Sequence, residues 1–432
     1  MIERYTRPEM GRIWSEQHKF ETWLEVEITA CEAQRDLGRI PAEAVEVIKG
    51  KATFSIDRIL EIEAETRHDV IAFLTAVAEN VGPEGRYLHL GMTSYDMSDT
   101  ALGLRLREAG EVLLAGLDGV REAIGKRAVE HRDTPCIGRT HGVHAEPITF
   151  GLKLAVWYDE LRRHRERLVE AIHGVAVGKI SGSVGTFAHL APEVETAVCA
   201  ALDLQPAPAS NQILQRDRHA HFISVLAGIG ATLGKITTEI RNLQRTEIRE
   251  VEEGFRAGQK GSSSMPHKRN PIICERITGM ARLLRGWASA ALENVELWHE
   301  RDITNSAPER VILPDACITL DYMMFKLTDV VANLVVRPDR MMANLESTGG
   351  LVFSQKVLTA LVESGMKREE AYAAVQENAM AAWEEGGPTF RERIAADERV
   401  RGTIDADVLE ACFDVTAQLV HIPEIFKRVG LE

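Results

Sequence analysis

Starting at Phe222, apolar residues recur in steps of four and three: Phe222, Leu226, Ile229, Leu233, Ile236, Ile240, Leu243. That spacing predicts a long helix with its seam buried in a bundle, because a heptad-like repeat keeps one face toward its neighbours. Ala227, Gly228, Gly230, Ala231 and Gly234 lie beside the seam. Glycine weakens a helix intrinsically, so this many small residues imply close approach of neighbouring helices. The same spacing runs through Leu113, Leu117, Val120 and Ile124, through Phe150, Leu154, Trp157, Leu161, His164 and Leu168, and through Leu320, Met324, Leu327, Val331 and Leu334. Period-two patterns are scarce, and no glycine-rich strand-to-helix turn marks a Rossmann unit or phosphate loop. The pattern predicts an all-α fold.

The long helices cluster in residues 94–341, which read as a central long-helix bundle domain. Residues 1–93 read as an N-terminal helical domain, its shorter helices broken at Gly38–Pro41 and Gly82–Gly85. Residues 342–432 read as a C-terminal helical domain, reached through Ser347-Thr348-Gly349-Gly350 and broken at Gly386-Gly387-Pro388. At 432 residues, the chain is long for one core and fits two or three domains.

Composition narrows the partners. A formal charge of −14 repels nucleic acid and anionic membranes, so neither is expected. An anionic small molecule would need arginine and lysine gathered locally. Six scattered cysteines, none in a CxxC pair, read as reduced structural thiols of a cytoplasmic protein. MIERYTRPEMGRIW at the start lacks the apolar core of a secretory signal, and no run approaches ~18 uninterrupted apolar residues. Neither export nor a membrane span is expected.

One stretch breaks the helical pattern. In KGSSSMPHKRNPIICE (260–275), hydroxyls run into a cationic segment bracketed by Pro266 and Pro271. On residues alone this is either a flexible linker into a helix or a closing lid that carries a nucleophile or base. A nucleic-acid patch is disfavoured, since no aromatics interleave with the cations. His141-Gly142-Val143-His144 could be metal ligands, but no Glu follows His141 as in HExxH, and the glycine disfavours a helix. His219 and His221 on a helix point apart. No metal site is expected.

GSSSMPHKRNP closely resembles the GSSxMPxKxNP signature of the fumarase/aspartase superfamily of lyases. Arg67-His68-Asp69-Val70, HLGMTSYDMSDTAL (89–102), GRTHGVHAEPITFG (138–151), NQILQRDRHA (211–220) and ERDITNSAPERVILPD (300–315) fall in the expected order. With ERYTRPEM near the start, they resemble the adenylosuccinate lyase family within it. The match extends over essentially the whole chain and is weakest toward the C-terminus. Nearest alternatives are argininosuccinate lyase, carboxymuconate cycloisomerase, or a silent helical scaffold.

The resemblance implies β-elimination of fumarate from adenylosuccinate, giving AMP, and from the succinyl-aminoimidazole-carboxamide ribotide, giving its carboxamide. It implies no cofactor, and a homotetramer whose central domains form one helical core with shared active sites. Such chemistry needs a base, an acid for the leaving nitrogen, and donors at the developing oxyanion. By resemblance the base is Ser262, helped by backbone N–H groups and Lys268, and the acid is His141, with His68 supporting or sharing its role. Lys268 and Asn270 would hold a succinyl carboxylate. Thr93, Ser94, Thr140 and Gln212 would position the substrate, with Arg67 and Asp69 as further contacts. Arg4, Tyr5, His89, Arg301, Ser306 and Arg310 would meet phosphate and ribose, and Glu275 would orient a histidine. Two positions depart from the family's pattern: Asn305, where histidine is common, and Tyr95, bulkier than usual.

Overall fold

The computed structural model describes residues 1–256, 258–384 and 387–432; Gly386, in the last predicted break, lies outside the described residues. The fold is all-α. Its long helices are Ser94–Glu130, Phe150–Val175, Asp217–Leu243, Ile272–Glu293 and Ser306–Ala332. Every seam residue named above is buried, and the Phe222–Leu243 set is at most 2% exposed. The small residues mark a close approach. A Cβ on Gly230 would lie 2.4 Å from Leu284 Cδ1, and one on Gly234 would lie 3.2 Å from Ala281 Cβ. By length and composition Asp217–Leu243 could cross a membrane, but 72% of its apolar window is buried inside the protein.

The chain divides into two compact units. One comprises residues 1–118, 163–234 and 278–325; the other comprises 119–162, 235–277 and 326–432. Each long helix therefore gives a segment to either unit.

In the first unit, Phe20, Trp23 and Phe73 pack with ring centroids 5.3–5.6 Å apart, within the favourable range for aromatic pairs. They fasten the helix Glu16–Asp36 to the helix Asp69–Val81. The second unit has its own core around Val357, Leu361, Phe390, Ile394 and Val400, which also takes Ile137. Ile137 belongs to an element that the periodicity did not predict. Pro135–Thr140 and Val143–Thr149 form an antiparallel hairpin. Its register shifts between Ile137 and Arg139, and such a bulge disrupts the alternation by which a strand is read. The other strands are two residues each.

Candidate active site

In the first unit a cavity of about 490 Å³ is lined by Arg67, His68, Asp69, Ser94, Arg301, Ser306 and Arg310, all predicted from sequence. Local backbone explains the first three. Arg67 ends the helix Ile56–Thr66 in the left-handed region, at φ 56°, which costs a non-glycine residue on the order of 1–2 kcal/mol. The chain then turns sharply, and extended His68 caps the helix Asp69–Val81, its Nδ1 accepting from the Ile71 N–H at 3.4 Å. With Nδ1 an acceptor, a neutral ring carries its proton on Nε2. Ser94 opens its helix, and the Thr93 N–H before it donates to Asp96 Oδ2 at 2.9 Å.

The cations around the cavity differ in their partners. Arg310 donates to Asp69 Oδ2 at 2.7 Å. Burial opposes ionisation of Asp69, but Arg310 outweighs it and holds the carboxyl below its ordinary value. Arg216, 2% exposed, donates to Asp99 at 2.7 and 2.9 Å and through Nε to Glu309 at 2.8 Å. Two carboxylates thus neutralise it. Arg301 is otherwise. Its Nη1 donates to Gln212 Oε1 at 3.2 Å, while its Nε and Nη2 are buried without a partner among the described residues. Unpaired buried donors are costly, so Arg301 is the least satisfied of these three cations.

Other predicted residues of this unit do not line the cavity. His89, at φ 60°, holds Glu27 through Nδ1 at 2.6 Å and through its own N–H at 2.8 Å. Burial disfavours the imidazolium, but the Glu27 carboxylate outweighs burial and raises its pKa. Arg4 and Tyr5 sit on the short helix Glu3–Tyr5, with the Tyr5 ring 5.1 Å from Tyr322.

The second unit holds the rest. In the hairpin, Thr140 pairs with Val143, leaving His141 and Gly142 as a two-residue turn with φ 56° and 79°. Positive φ at both positions is the mark of a type I′ turn. Exposed His141 therefore stands at the tip. Just before it, Arg139 grips Glu250 at 2.6 Å, and Asn344 donates to the same carboxylate at 2.8 Å.

In the loop, Ser262 Oγ accepts from the backbone N–H groups of Ser264 at 3.3 Å and Met265 at 3.1 Å. Asn270 closes the loop by donating to Gly261 O at 2.9 Å. A Cβ on Gly261 would lie 1.9 Å from Lys268 O, so only glycine fits there. Beyond the loop, Glu253 accepts from the Ile273 and Cys274 amides at 3.1 and 2.9 Å, fixing the helix start. Lys268 and Glu275 are exposed.

Comparison with known proteins gives the family. Residues 3–286 match the family described as Lyase, and residues 350–429 match the family described as Adenylosuccinate lyase C-terminus. The chain is 54% identical to adenylosuccinate lyase of Synechocystis sp. (strain ATCC 27184 / PCC 6803 / Kazusa) and 52% identical to that of Bacillus subtilis (strain 168). Each of these matches covers 100% of both chains. The chain belongs to the adenylosuccinate lyase family. It is accordingly a carbon–nitrogen lyase that releases fumarate. Solved structures share the fold. Fumarate lyase from Mesorhizobium sp. BNC1 has a TM-score of 0.90 at 28% identity, covering 99% of each chain. The 3-carboxy-cis,cis-muconate lactonizing enzyme from Pseudomonas putida has a TM-score of 0.89 at 29% identity, covering 98% of this chain and 96% of that one.

Within this adenylosuccinate lyase framework, sequence reasoning missed several cavity residues. Asp99 and Arg216 stand inside motifs quoted above, and an arginine between Gln215 and Asp217 in a chain this acidic was a signal. Lys19 and Arg105 also line the cavity but stand in no motif. Arg105 is desolvated, its guanidinium 4.7 Å from the Trp14 ring, and burial brings its pKa down to about 10. Of the two departures, Asn305 is fully buried and donates to Glu309 at 3.1 Å, behind the lining; Tyr95 is in it.

Proposed function

We propose that the chain splits adenylosuccinate into AMP and fumarate, and the succinyl-aminoimidazole-carboxamide ribotide into its carboxamide and fumarate, in the cytoplasm. The observation that carries this reading is the cavity in which Arg301 keeps two donors unpaired, which we read as the receptor for the nucleotide phosphate beside Arg310 and Ser306. Ser262 is the base. As an alkoxide it takes the proton from the carbon beside one succinyl carboxylate, and that electron pair becomes the double bond of fumarate as the C–N bond breaks. The departing nitrogen takes a proton from His141, which His68 supports.

Two backbone N–H groups already point at Ser262 Oγ, and hydrogen bonds to the charged form lower a pKa. Lys268 and Asn270 would hold the succinyl carboxylate once the loop closes. Each active site is completed by further copies of the chain in a homotetramer.

An ultraviolet assay of the purified protein with adenylosuccinate, and with argininosuccinate in parallel, tests the substrate. Cleavage of adenylosuccinate alone is expected; cleavage of argininosuccinate would discard the phosphate receptor. Arg301→Ala and Arg310→Ala should both weaken inhibition by AMP, and unaltered AMP inhibition in both would show that phosphate binds elsewhere.

A further inference from the structure

We infer that Tyr95 is a positioning and specificity-determining residue: its ring is the platform that holds the Arg301 guanidinium ready for an anionic substrate group. The Arg301 guanidinium carbon lies over the Tyr95 ring, 3.9 Å from its centroid. An aromatic face attracts a cation without consuming its N–H groups. Gln212 takes one of those groups, on Nη1, and the donors on Nε and Nη2 remain unpaired. One contact on the face and one on the edge thus restrain the fork, while the donors on Nε and Nη2 are not consumed by the protein.

The same helix turn treats a second arginine differently. Asp99 lies four residues after Tyr95, on the same helix face, and with Glu309 it saturates Arg216. The Tyr95 centroid is 5.9 Å from Arg216, too far for comparable stacking. One turn therefore offers a carboxylate, Asp99, to the arginine that is structural and a ring to the arginine with unpaired donors. A carboxylate on Arg301 would compete with the ligand; a ring does not. The Tyr95 hydroxyl interacts electrostatically with Arg310, while the contact with Arg301 is made by the ring, so the phenylalanine variant separates the two.

This inference rests on the reading that Arg301 receives the substrate phosphate. Its test is steady-state kinetics of the full-length enzyme with adenylosuccinate, with AMP and adenosine as competing probes. Tyr95→Leu keeps apolar bulk but removes the ring face. It should raise the KM for adenylosuccinate and the inhibition constant of AMP about two- to thirtyfold, with a smaller effect on kcat and none on adenosine. Tyr95→Phe should restore binding, and Tyr95→Met serves if the leucine variant does not fold. In an Arg301→Ala background, Tyr95→Leu should add nothing. Equal effects of Leu and Phe, or a full Tyr95→Leu effect without Arg301, would overturn the platform. Loss of AMP affinity in Arg301→Ala with none in Tyr95→Leu would sink the platform alone. Unchanged AMP affinity in Arg301→Ala would sink the phosphate reading and the platform together.

Discussion

Around Arg216 in the first unit, charge meets charge: Asp99 and Glu309 grip one guanidinium from two helices. Around Ser262 in the second unit the partners are backbone amides two and three residues away. The first arrangement exists only when segments more than ninety residues apart have docked. The second needs a single turn of chain. Long-range pairs give rigidity and pre-set charge, whereas a short-range turn orients a hydroxyl with no help from distant segments. The mechanism proposed above draws on both, a rigid charge scaffold beside the anion receptor and a base on the loop.

The largest expected effect breaks the local side. Ser262→Ala removes an acceptor on an exposed loop, so folding should be untouched, but turnover of adenylosuccinate should fall about 10²–10⁴-fold. Near-wild-type turnover would take Ser262 out of the mechanism. Next, Arg216→Met leaves Asp99 and Glu309 buried without their counter-charge and should destabilise the protein by about 3–5 kcal/mol in denaturant unfolding. A loss below about 1 kcal/mol would put this cluster with ordinary surface pairs.

Smaller effects sharpen the contrast. Gly142→Ala forces a side chain into φ 79° at the hairpin tip and should cost about 1 kcal/mol. It should also lower kcat more than it raises KM, because His141 is what the turn presents; a change in KM alone would argue against the acid role.

The His89–Glu27 pair gives the mildest effect, visible only as pH dependence. A raised folded pKa means that folding binds protons, so the pair's stabilisation is full below about pH 6.5, the ordinary imidazole value. It fades as pH rises through the raised folded value. Unfolding of the wild type and Glu27→Gln, compared from pH 5 to 9, should show the gap narrowing with pH. A constant or widening gap would exclude the linkage.

The same division explains what could be read from the residues. Long helices were legible because the seam from Phe222 to Leu243 repeats on itself, and the loop that carries Ser262 and Asn270 was legible as a break between helices because its motif is continuous. Arg67, His68 and Asp69 were readable as a block and lie in the cavity together with the more distant Arg301 and Arg310. The hairpin was not legible, since its bulge erases the alternation and Cys136 and Ile137 are buried side by side. Nor was the Arg216 cluster, whose members stand in three separate motifs with nothing local to join them. Glu253 and Glu250 escaped for the same reason: each acts on residues at least twenty positions away.

Pairing of the cavity cations has a consequence for encounter rates. Arg310 and Arg216 are answered by carboxylates, so little positive potential leaks outward from a protein of formal charge −14. At low salt, where the Debye length is about 30 Å at 0.01 M, a nucleotide dianion meets repulsion first and attraction only at the mouth. Added salt therefore screens the barrier before it screens the receptor. Association should speed up as ionic strength rises from a low value, the reverse of what a cation-lined site would otherwise suggest.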